Sequence, residues 1–313
     1  MRLSSPTPAE HYDVKAAAIQ VSIPRMADFE ESTLTLADGY SAYARYWPGD
    51  GARGSVLYHH GIQSHCGWYA DSARRLARAG FAVLQVDRRG CGSNARDRGH
   101  AESAAQLIHD SAAARDELLR RSGSARYHLV GVSWGGKLAA AGYATEPAGV
   151  ASVSLVTPGL FPRMVASQSE KAEIGFAMLY EPNRLFDIPL NDPALFTASL
   201  KWQAFFRDDP LTLRQCTAGF YLASRRMDRI VARLAAAPPV PVHLLLAGDE
   251  QVIDNDKTRE FIDGLGWPGS RVTTFPAARH SLEFETIAED YFGELLGFID
   301  AAESGQTDRQ TRR

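Results

Sequence analysis

The sequence predicts an α/β fold with a mostly parallel sheet, helices on both faces of the sheet and an inserted helical cap. Two observations support this prediction. Short apolar runs alternate with helix-periodic segments over residues 55–156 and again over residues 240–299, which is typical of parallel strands joined by helices. Between these regions, residues 157–239 contain aromatic and helical pieces but no convincing strand, which indicates an insertion.

Each core element has its own signal in the chain. Residues 29–47 contain two alternating runs around Asp38-Gly39, and this pattern favours a tight β-hairpin. Apolar runs predict further strands at residues 55–60, 81–86, 127–132, 150–156, 241–247 and 271–275. Helical periodicity predicts helices at residues 68–79, 102–121, 137–145, 257–265 and 287–299. In the insertion, helical pieces are predicted at residues 176–180, 193–206 and 211–234.

The domain organisation follows from these elements. A chain of 313 residues with 45% hydrophobic residues suits one large α/β domain with an insertion. We expect an N-terminal arm, a core in two pieces, a helical cap between them and a flexible tail. These segments are residues 1–28 for the arm, 29–157 and 240–303 for the core, 158–239 for the cap and 304–313 for the tail.

Composition excludes several classes of function. The net charge of −3 gives no electrostatic basis for binding nucleic acid. The three scattered cysteines indicate reduced thiols in a cytoplasmic protein rather than a disulfide framework. We also expect no signal peptide and no membrane-spanning helix, because no sufficiently long apolar run is present.

A serine lies at the sharpest predicted turn. Gly131-Val132-Ser133-Trp134-Gly135 follows an apolar strand and precedes an Ala-rich helix, as in the nucleophile-elbow pattern Gly-x-Ser-x-Gly. Glycines without a Cβ let the strand and the helix approach closely, while the serine backbone is strained. We therefore expect the Ser133 hydroxyl to project above the sheet near the helix N-terminus as a nucleophile. The alternative is a glycine-rich turn in which Ser133 has no catalytic role.

A serine nucleophile needs a base to accept its proton, and a carboxylate should orient that base. The expected chain order is serine, acid, histidine. Of the nine histidines, His280 follows the serine and lies in the loop before the last predicted helix. His243 also follows it, but lies inside an apolar strand, which favours a packed core histidine. His280 is thus the predicted base. The alternative is that His280 is a surface-loop histidine without a catalytic role.

The acid should follow the strand that ends at Gly248. Candidates are Asp249, Glu250, Asp254 and Asp256. A carboxylate directly after the strand can reach the histidine, which favours Asp249 or Glu250 and leaves these two undecided.

A tetrahedral intermediate also needs N–H donors aimed at its oxyanion. One donor should be the backbone of Trp134, after the serine, and the other should be Ile62, in the loop after an early strand. His59 and His60 are better explained as supports of that loop than as metal ligands, because no third ligand has a suitable spacing.

Five motifs link the chain to a known family. They are HGIQSH at 60–65, DRRG at 87–90, GVSWGG at 131–136, GDEQVIDN at 248–255 and RHSLE at 279–283. Together they resemble the α/β-hydrolase superfamily, and within it the monoacylglycerol lipase and lysophospholipase-like branch that includes serine-aminopeptidase-type sequences. The resemblance spans roughly residues 30–300 and is more specific for the superfamily than for a substrate.

The resemblance implies an α/β-hydrolase fold and a serine carboxylic-ester hydrolase that forms an acyl-enzyme on Ser133. It also implies His280 as general base, Ile62 and Trp134 as oxyanion donors, and no metal or organic cofactor. Related sequences often carry an aspartate where this chain has Glu250. Because triads of this fold tolerate glutamate, Glu250 is the predicted acid.

The substrate is predicted only by class. An apolar, aromatic-rich cap favours a small-molecule ester with a hydrophobic acyl group, such as a monoacylglycerol or a lysophospholipid. No basic amphipathic helix is evident for membrane docking, so contact with a membrane surface stays open. The alternatives are an acyltransferase or thioesterase on the same fold, or a ligand-binding protein with little turnover. The sequence gives no prediction of oligomeric state.

Overall fold

The computed structural model describes residues 29–49 and 53–305. The predicted N-terminal arm and most of the predicted tail lie outside these residues. The described strands are β1 (Glu30–Thr35), β2 (Ser41–Trp47), β3 (Ser55–His59), β4 (Ala82–Val86), β5 (Tyr127–Val132), β6 (Val150–Val156), β7 (Leu185–Asp187), β8 (Gln215–Thr217), β9 (Val242–Ala247) and β10 (Arg271–Phe275). The described α-helices are α1 (Ala70–Arg78), α2 (Ala104–Ser122), α3 (Trp134–Thr145), α4 (Gln168–Tyr180), α5 (Leu200–Asp208), α6 (Ala218–Val231), α7 (Asn255–Asp263) and α8 (Ala288–Glu303).

An eight-stranded sheet forms the centre of the molecule, in the order β1-β2-β4-β3-β5-β6-β9-β10. The six strands from β4 to β10 in this order run parallel, whereas β1 and β2 are antiparallel to their neighbours. The predicted hairpin is confirmed. Gly39 adopts φ +75° in its turn, and Asp38 accepts a hydrogen bond from the Tyr40 N–H at 3.1 Å.

Helices cover both faces of the sheet, as the sequence predicts. The connection from β3 to β4 and that from β4 to β5 run in opposite directions along the sheet. Because such crossovers are right-handed, α1 lies on one face and α2 on the other. The later crossovers continue in the second direction, so α3 and α7 lie on the same face as α2, with α3 in contact with α2. On the other face, α8 packs with α1.

The insertion between β6 and β9 differs in part from the sequence prediction. It contains the helices α4, α5 and α6, but also the short antiparallel pair β7 and β8. The prediction of a helical piece over residues 211–234 was wrong at its start, because β8 lies there and α6 begins only at Ala218. Strands β7 and β8 each have three residues, which is too short for alternation to be recognised. The end of β8 also has a contact distant in the chain, the Thr217 N–H bond to Gly99 O at 3.0 Å.

The sheet topology brings distant loops to one edge. The loops that follow β3, β5, β9 and β10 all leave the carboxyl ends of parallel strands, so they lie along the same edge of the sheet. These loops contain Ile62, Ser133, Glu250 and His280.

His243 lies inside β9 and is fully buried, as expected for a core histidine. Its Nε2 lies 3.0 Å from Thr273 Oγ1, and its ring packs on Phe298 with the ring centroids 4.8 Å apart. Burial, with the positive charge of Arg271 as a second cause, lowers the pKa of His243 to about 3. The unfolded chain binds a proton there near pH 6.5. The contribution of neutral His243 to the free energy of unfolding is therefore fully present above pH 6.5. It decreases as the pH falls from 6.5 toward 3.

We expect His243→Leu to reduce the dependence of the unfolding free energy on pH. Between pH 6.5 and 4 its slope should fall by up to about 1.4 kcal/mol per pH unit, because one proton is no longer taken up on unfolding. Urea denaturation at a series of pH values measures this slope. The control His109→Leu, at an exposed position of α2, should keep a slope close to wild type. An unchanged slope in His243→Leu would contradict the lowered pKa of His243 in the folded protein.

Candidate active site

Ser133 stands at a strained turn between β5 and α3. Its backbone has φ +52° and ψ −124°, a region that non-glycine residues rarely occupy and that costs on the order of 1–3 kcal/mol. The Ser133 N–H donates to Val156 O at 2.9 Å, and its carbonyl accepts from the Gly159 N–H at 2.7 Å. The neighbouring strand and the loop after it therefore hold the turn in place. The predicted elbow geometry is present at this serine.

The glycines beside Ser133 are required by close backbone contacts. A Cβ on Gly135 would clash with the carbonyl oxygens of His59 and His60, and one on Gly131 would clash with the Gly135 carbonyl. These contacts place the first turn of α3 directly against the end of β3 and the loop after it. A side chain at position 135 would separate them.

Ser133, His280 and Glu250 form a hydrogen-bonded chain. His280 Nε2 lies 2.9 Å from Ser133 Oγ, and His280 Nδ1 lies 2.9 Å from Glu250 Oε2. All three residues are buried, with His280 only 1% exposed. If Nδ1 carries the proton and donates to Glu250, Nε2 is free to accept the proton of the serine hydroxyl.

The two candidate acids lie in different surroundings. The second oxygen of Glu250, Oε1, accepts hydrogen bonds from the backbone N–H of Val252 at 2.7 Å and of Ile253 at 3.3 Å. The Asp249 carboxylate is half exposed and pairs with Arg279 Nε at 3.1 Å. The structure thus brings Glu250 to His280 and leaves Asp249 at the surface, while the catalytic role of Glu250 stays a prediction.

The predicted oxyanion donors lie on the two segments that border Ser133. Trp134 is the first residue of α3, where backbone N–H groups have no intrahelical acceptor. Ile62 follows Gly61, and a Cβ built on Gly61 would lie 3.4 Å from Ser133 Cβ and 3.8 Å from its Oγ. Within the described residues, neither the Ile62 nor the Trp134 N–H donates a backbone hydrogen bond. The role of both groups as oxyanion donors stays a prediction.

His60 supports the loop that contains Ile62. Its Nε2 accepts a hydrogen bond from the Arg88 N–H at 2.9 Å, so its Nδ1 carries the proton and donates to Gly61 O at 2.8 Å. Burial, followed by the positive charge of Arg88, lowers the pKa of His60 to about 3. The ring is therefore neutral at ordinary pH. The neighbouring His59 contacts α2 instead, where Ser111 Oγ lies 2.8 Å from its Nε2.

Sequence reasoning gave no role to Arg88. Its guanidinium donates to Gly61 O at 3.2 Å and to Ile62 O at 2.9 Å. It also lies over the Trp134 ring, 4.6 Å from the centroid. The only sequence signal was its place in the DRRG motif, which does not show what the side chain contacts.

The insertion contacts the base directly. The Phe196 ring lies edge-on to His280 with centroids 6.0 Å apart, and the Ser281 N–H donates to Phe196 O at 2.8 Å. The insertion also contacts the loop after β3, through the Leu213 N–H bond to Gln63 O at 2.9 Å.

A buried carboxylate strengthens the contact between the insertion and the core. Asp209, at the end of α5, accepts from Trp68 Nε1 at 2.6 Å and lies 2.9 Å from His65 Nε2. Burial raises the pKa of Asp209, but hydrogen bonds from His65, Trp68 and the Leu211 N–H outweigh it and hold the pKa well below its ordinary value. Asp209 therefore stays ionised and keeps these hydrogen bonds at ordinary pH.

Residues 29–49 and 53–305 contain no group of three or more His, Cys, Asp or Glu side chains arranged to hold a metal ion. The three cysteines are free and buried. None of the described helices combines the length and apolar character needed to cross a bilayer.

Comparison with known proteins identifies the family and the fold of the chain. The model of a family described as serine aminopeptidase, S33, matches residues 50–287, which is most of the chain. An Escherichia coli (strain K12) protein described as uncharacterized protein YnbC is 23% identical over 278 residues, or 86% of this chain. The match covers 46% of that protein, so the chain spans less than half of its length.

Solved structures show the same fold. The monoacylglycerol lipase of Paleococcus ferrophilus has a TM-score of 0.75 at 20% identity, covering 84% of this chain and 100% of that one. A soluble variant of Saccharomyces cerevisiae monoglyceride lipase, in complex with a substrate analogue, has a TM-score of 0.76 at 19% identity, covering 89% and 98%. A Bacillus coagulans carboxyl esterase in complex with glycerol has a TM-score of 0.75 at 16% identity, covering 88% and 99%. The α/β-hydrolase fold implied by the sequence is thereby confirmed.

We expect Gly135→Ala to destabilise the protein by about 1–3 kcal/mol, because the new methyl group must push α3 away from the His59 and His60 carbonyls. The matched control is Gly142→Ala in the same helix, where the nearest atom to the new Cβ would be Ser111 Oγ at 3.9 Å. This control should be neutral or more stable by up to about 1 kcal/mol, since alanine favours helix. Chemical denaturation measures both. Equal stability of the two variants would show that the contact at position 135 does not constrain the fold.

Proposed function

The chain belongs to the serine aminopeptidase S33 family and has the α/β-hydrolase fold, and on this premise we propose that it is a serine hydrolase that cleaves a carboxylic ester through an acyl-enzyme on Ser133. The observation that carries the proposal is the hydrogen-bonded chain from Ser133 Oγ through His280 to Glu250, with both contacts at 2.9 Å. A nucleophile, a base and an orienting acid in this order are the machinery of acyl transfer.

In the proposed first step, His280 Nε2 accepts the proton of Ser133 as Oγ attacks the ester carbonyl carbon. The carbon becomes tetrahedral and its oxygen becomes negatively charged. His280 then gives the proton to the leaving alcohol, and the acyl group stays on Ser133. Water, activated by His280, releases the acid and restores the serine.

We assign the tetrahedral oxyanion to the backbone N–H groups of Ile62 and Trp134. Both are without a backbone acceptor in the described residues, and both lie on segments packed against Ser133. Trp134 also begins α3, so the positive end of the helix dipole adds to the stabilisation of negative charge.

Glu250 is proposed to orient His280 and to stabilise the imidazolium that forms during the reaction. Its carboxylate is fixed by the N–H groups of Val252 and Ile253, so little reorganisation is needed when the charge appears. The carboxylate accepts the Nδ1 proton and so selects the tautomer that leaves Nε2 free as base.

We propose a hydrophobic acyl ester of monoacylglycerol or lysophospholipid type as the substrate class. The insertion, residues 158–239, would act as a cap, with Phe196 beside His280 forming part of an apolar wall. The monoacylglycerol lipases and the esterase with the same fold support an ester substrate. Free, buried thiols agree with a cytoplasmic location, which stays part of the proposal.

The direct test is hydrolysis of p-nitrophenyl esters of graded chain length by wild type and by Ser133→Ala. We expect turnover that favours the longer acyl chains, and a loss in kcat of at least about 10³-fold in Ser133→Ala. Product analysis with added alcohols or thiols separates hydrolysis from acyl transfer. Wild-type activity in Ser133→Ala would contradict the proposal, and so would the absence of turnover across the whole series.

A second test separates the two candidate acids. We expect Glu250→Gln to lower kcat by roughly 10³–10⁴-fold, because an amide favours the wrong tautomer of His280. Asp249→Asn changes a half-exposed carboxylate of similar chemistry and serves as the matched control, with kcat close to wild type. Steady-state kinetics on one ester measures both variants. If only Asp249→Asn abolished turnover, the assignment of Glu250 would be wrong.

A further inference from the structure

The Arg88 side chain lies between the two segments that supply the proposed oxyanion donors. It is 8% exposed. Its two terminal nitrogens donate to the carbonyl oxygens of Gly61 and Ile62. On its other side, the guanidinium lies over the rings of Trp134 and Phe220, with centroid distances of 4.6 Å and 5.1 Å.

This guanidinium is not neutralised by a carboxylate in the described residues. The adjacent Arg89, by contrast, pairs with Asp38 at 2.9 Å and with Asp110 at 2.6 Å. Arg88 has backbone carbonyls and aromatic faces as neighbours, and its Nε has no hydrogen-bond partner there. An unpaired positive charge in a buried setting acts strongly on its surroundings, because screening by water is weak.

The hydrogen bonds to Gly61 O fix the direction of the Ile62 N–H. Both groups belong to one peptide unit, and a trans peptide is planar with its C=O and N–H on opposite edges. His60 Nδ1 and Arg88 Nη1 both donate to the carbonyl edge, at 2.8 Å and 3.2 Å. The Ile62 N–H therefore points away from His60 and Arg88. It belongs to the loop whose Gly61 borders Ser133.

The same side chain supports the second donor. Trp134 is held in place by Arg88 against one face of its indole and by a hydrogen bond from its Nε1 to Ser224 Oγ at 2.9 Å. Movement of the guanidinium would therefore remove one support from the Gly61–Ile62 peptide, which keeps its bond to His60, and one from Trp134, which keeps its bond to Ser224.

We propose that Arg88 is a positioning residue for the oxyanion hole, which aligns the Ile62 and Trp134 N–H groups and adds positive charge behind them. This inference rests on the proposed function of Ser133. Because the oxyanion exists only after attack on the carbonyl, the contribution of Arg88 appears in kcat rather than in KM.

The test compares Arg88→Met and Arg88→Lys with wild type on a neutral p-nitrophenyl ester. We expect Arg88→Met to lower kcat by about 10–100-fold, somewhat less than the loss of a direct oxyanion donor, with KM nearly unchanged. Affinity for a trifluoromethyl ketone, whose adduct carries an oxyanion, should fall in parallel with kcat. Arg88→Lys keeps the positive charge but not the paired donors of the guanidinium. Its kcat should therefore lie between those of wild type and Arg88→Met.

Arg89→Met is the matched control. It removes a neighbouring arginine that pairs with surface-side carboxylates, so it should lower thermal stability while kcat per folded molecule stays near wild type. Thermal unfolding of every variant separates lost folding from lost catalysis. If Arg88→Met does not fold, the comparison of Arg88→Lys with wild type decides the question alone.

Three results would overturn the proposal. Unchanged kcat and inhibitor affinity in a folded Arg88 variant would show that the side chain has no positioning role. A change confined to KM, and largest for anionic esters, would instead identify Arg88 as a binder of a substrate anion. Absence of Ser133-dependent turnover and of ketone binding in wild type would remove the proposed function and this inference together, an outcome distinct from the first two.

Discussion

Close contact between the start of α3 and the end of β3 is the constraint on which the site depends. Gly135 allows the helix to touch the His59 and His60 carbonyls, and this approach brings the loop after β3 alongside the strained Ser133. The strain, on the order of 1–3 kcal/mol, is sustained by backbone hydrogen bonds to Val156 and Gly159. The nearness of Ser133 to the Gly61 loop and to the first residue of α3 follows from the same packing.

The rest of the machinery follows from sheet topology. Parallel strands deliver their carboxyl-end loops to one edge, so residues separated by 147 positions, Ser133 and His280, meet at 2.9 Å. Burial of Glu250 against backbone N–H groups gives His280 a fixed partner, and the insertion contacts the base through Phe196. The proposed electrostatic preorganisation requires rigid supports. The buried, neutral His60 and the buried Arg88 hold the loop after β3 through their hydrogen bonds to Gly61 and Ile62.

Much of the fold could be predicted because its signals are local. Periodicity predicted the core elements. The elbow motif predicted Ser133 as nucleophile, and chain order with loop position predicted His280 as its base; the structure brings these two side chains into contact. The position of the acid could not be resolved between Asp249 and Glu250 from the residues alone, because adjacent side chains leave a strand end in different directions and only the tertiary structure shows which one is buried. The short β7–β8 pair and the contacts of Arg88 depend on partners distant in the chain, for which a single sequence carries no pattern.

The central claim is that Ser133 is an activated nucleophile, and covalent labelling with a fluorophosphonate followed by peptide mapping tests it most directly. Such a probe reacts with a serine whose proton is taken by a neighbouring base and whose adduct is held by oxyanion donors. We expect one label per folded molecule on Ser133, no label in Ser133→Ala and none after denaturation. Failure of Ser133 to react in the folded protein, or labelling at another residue instead, would contradict the account.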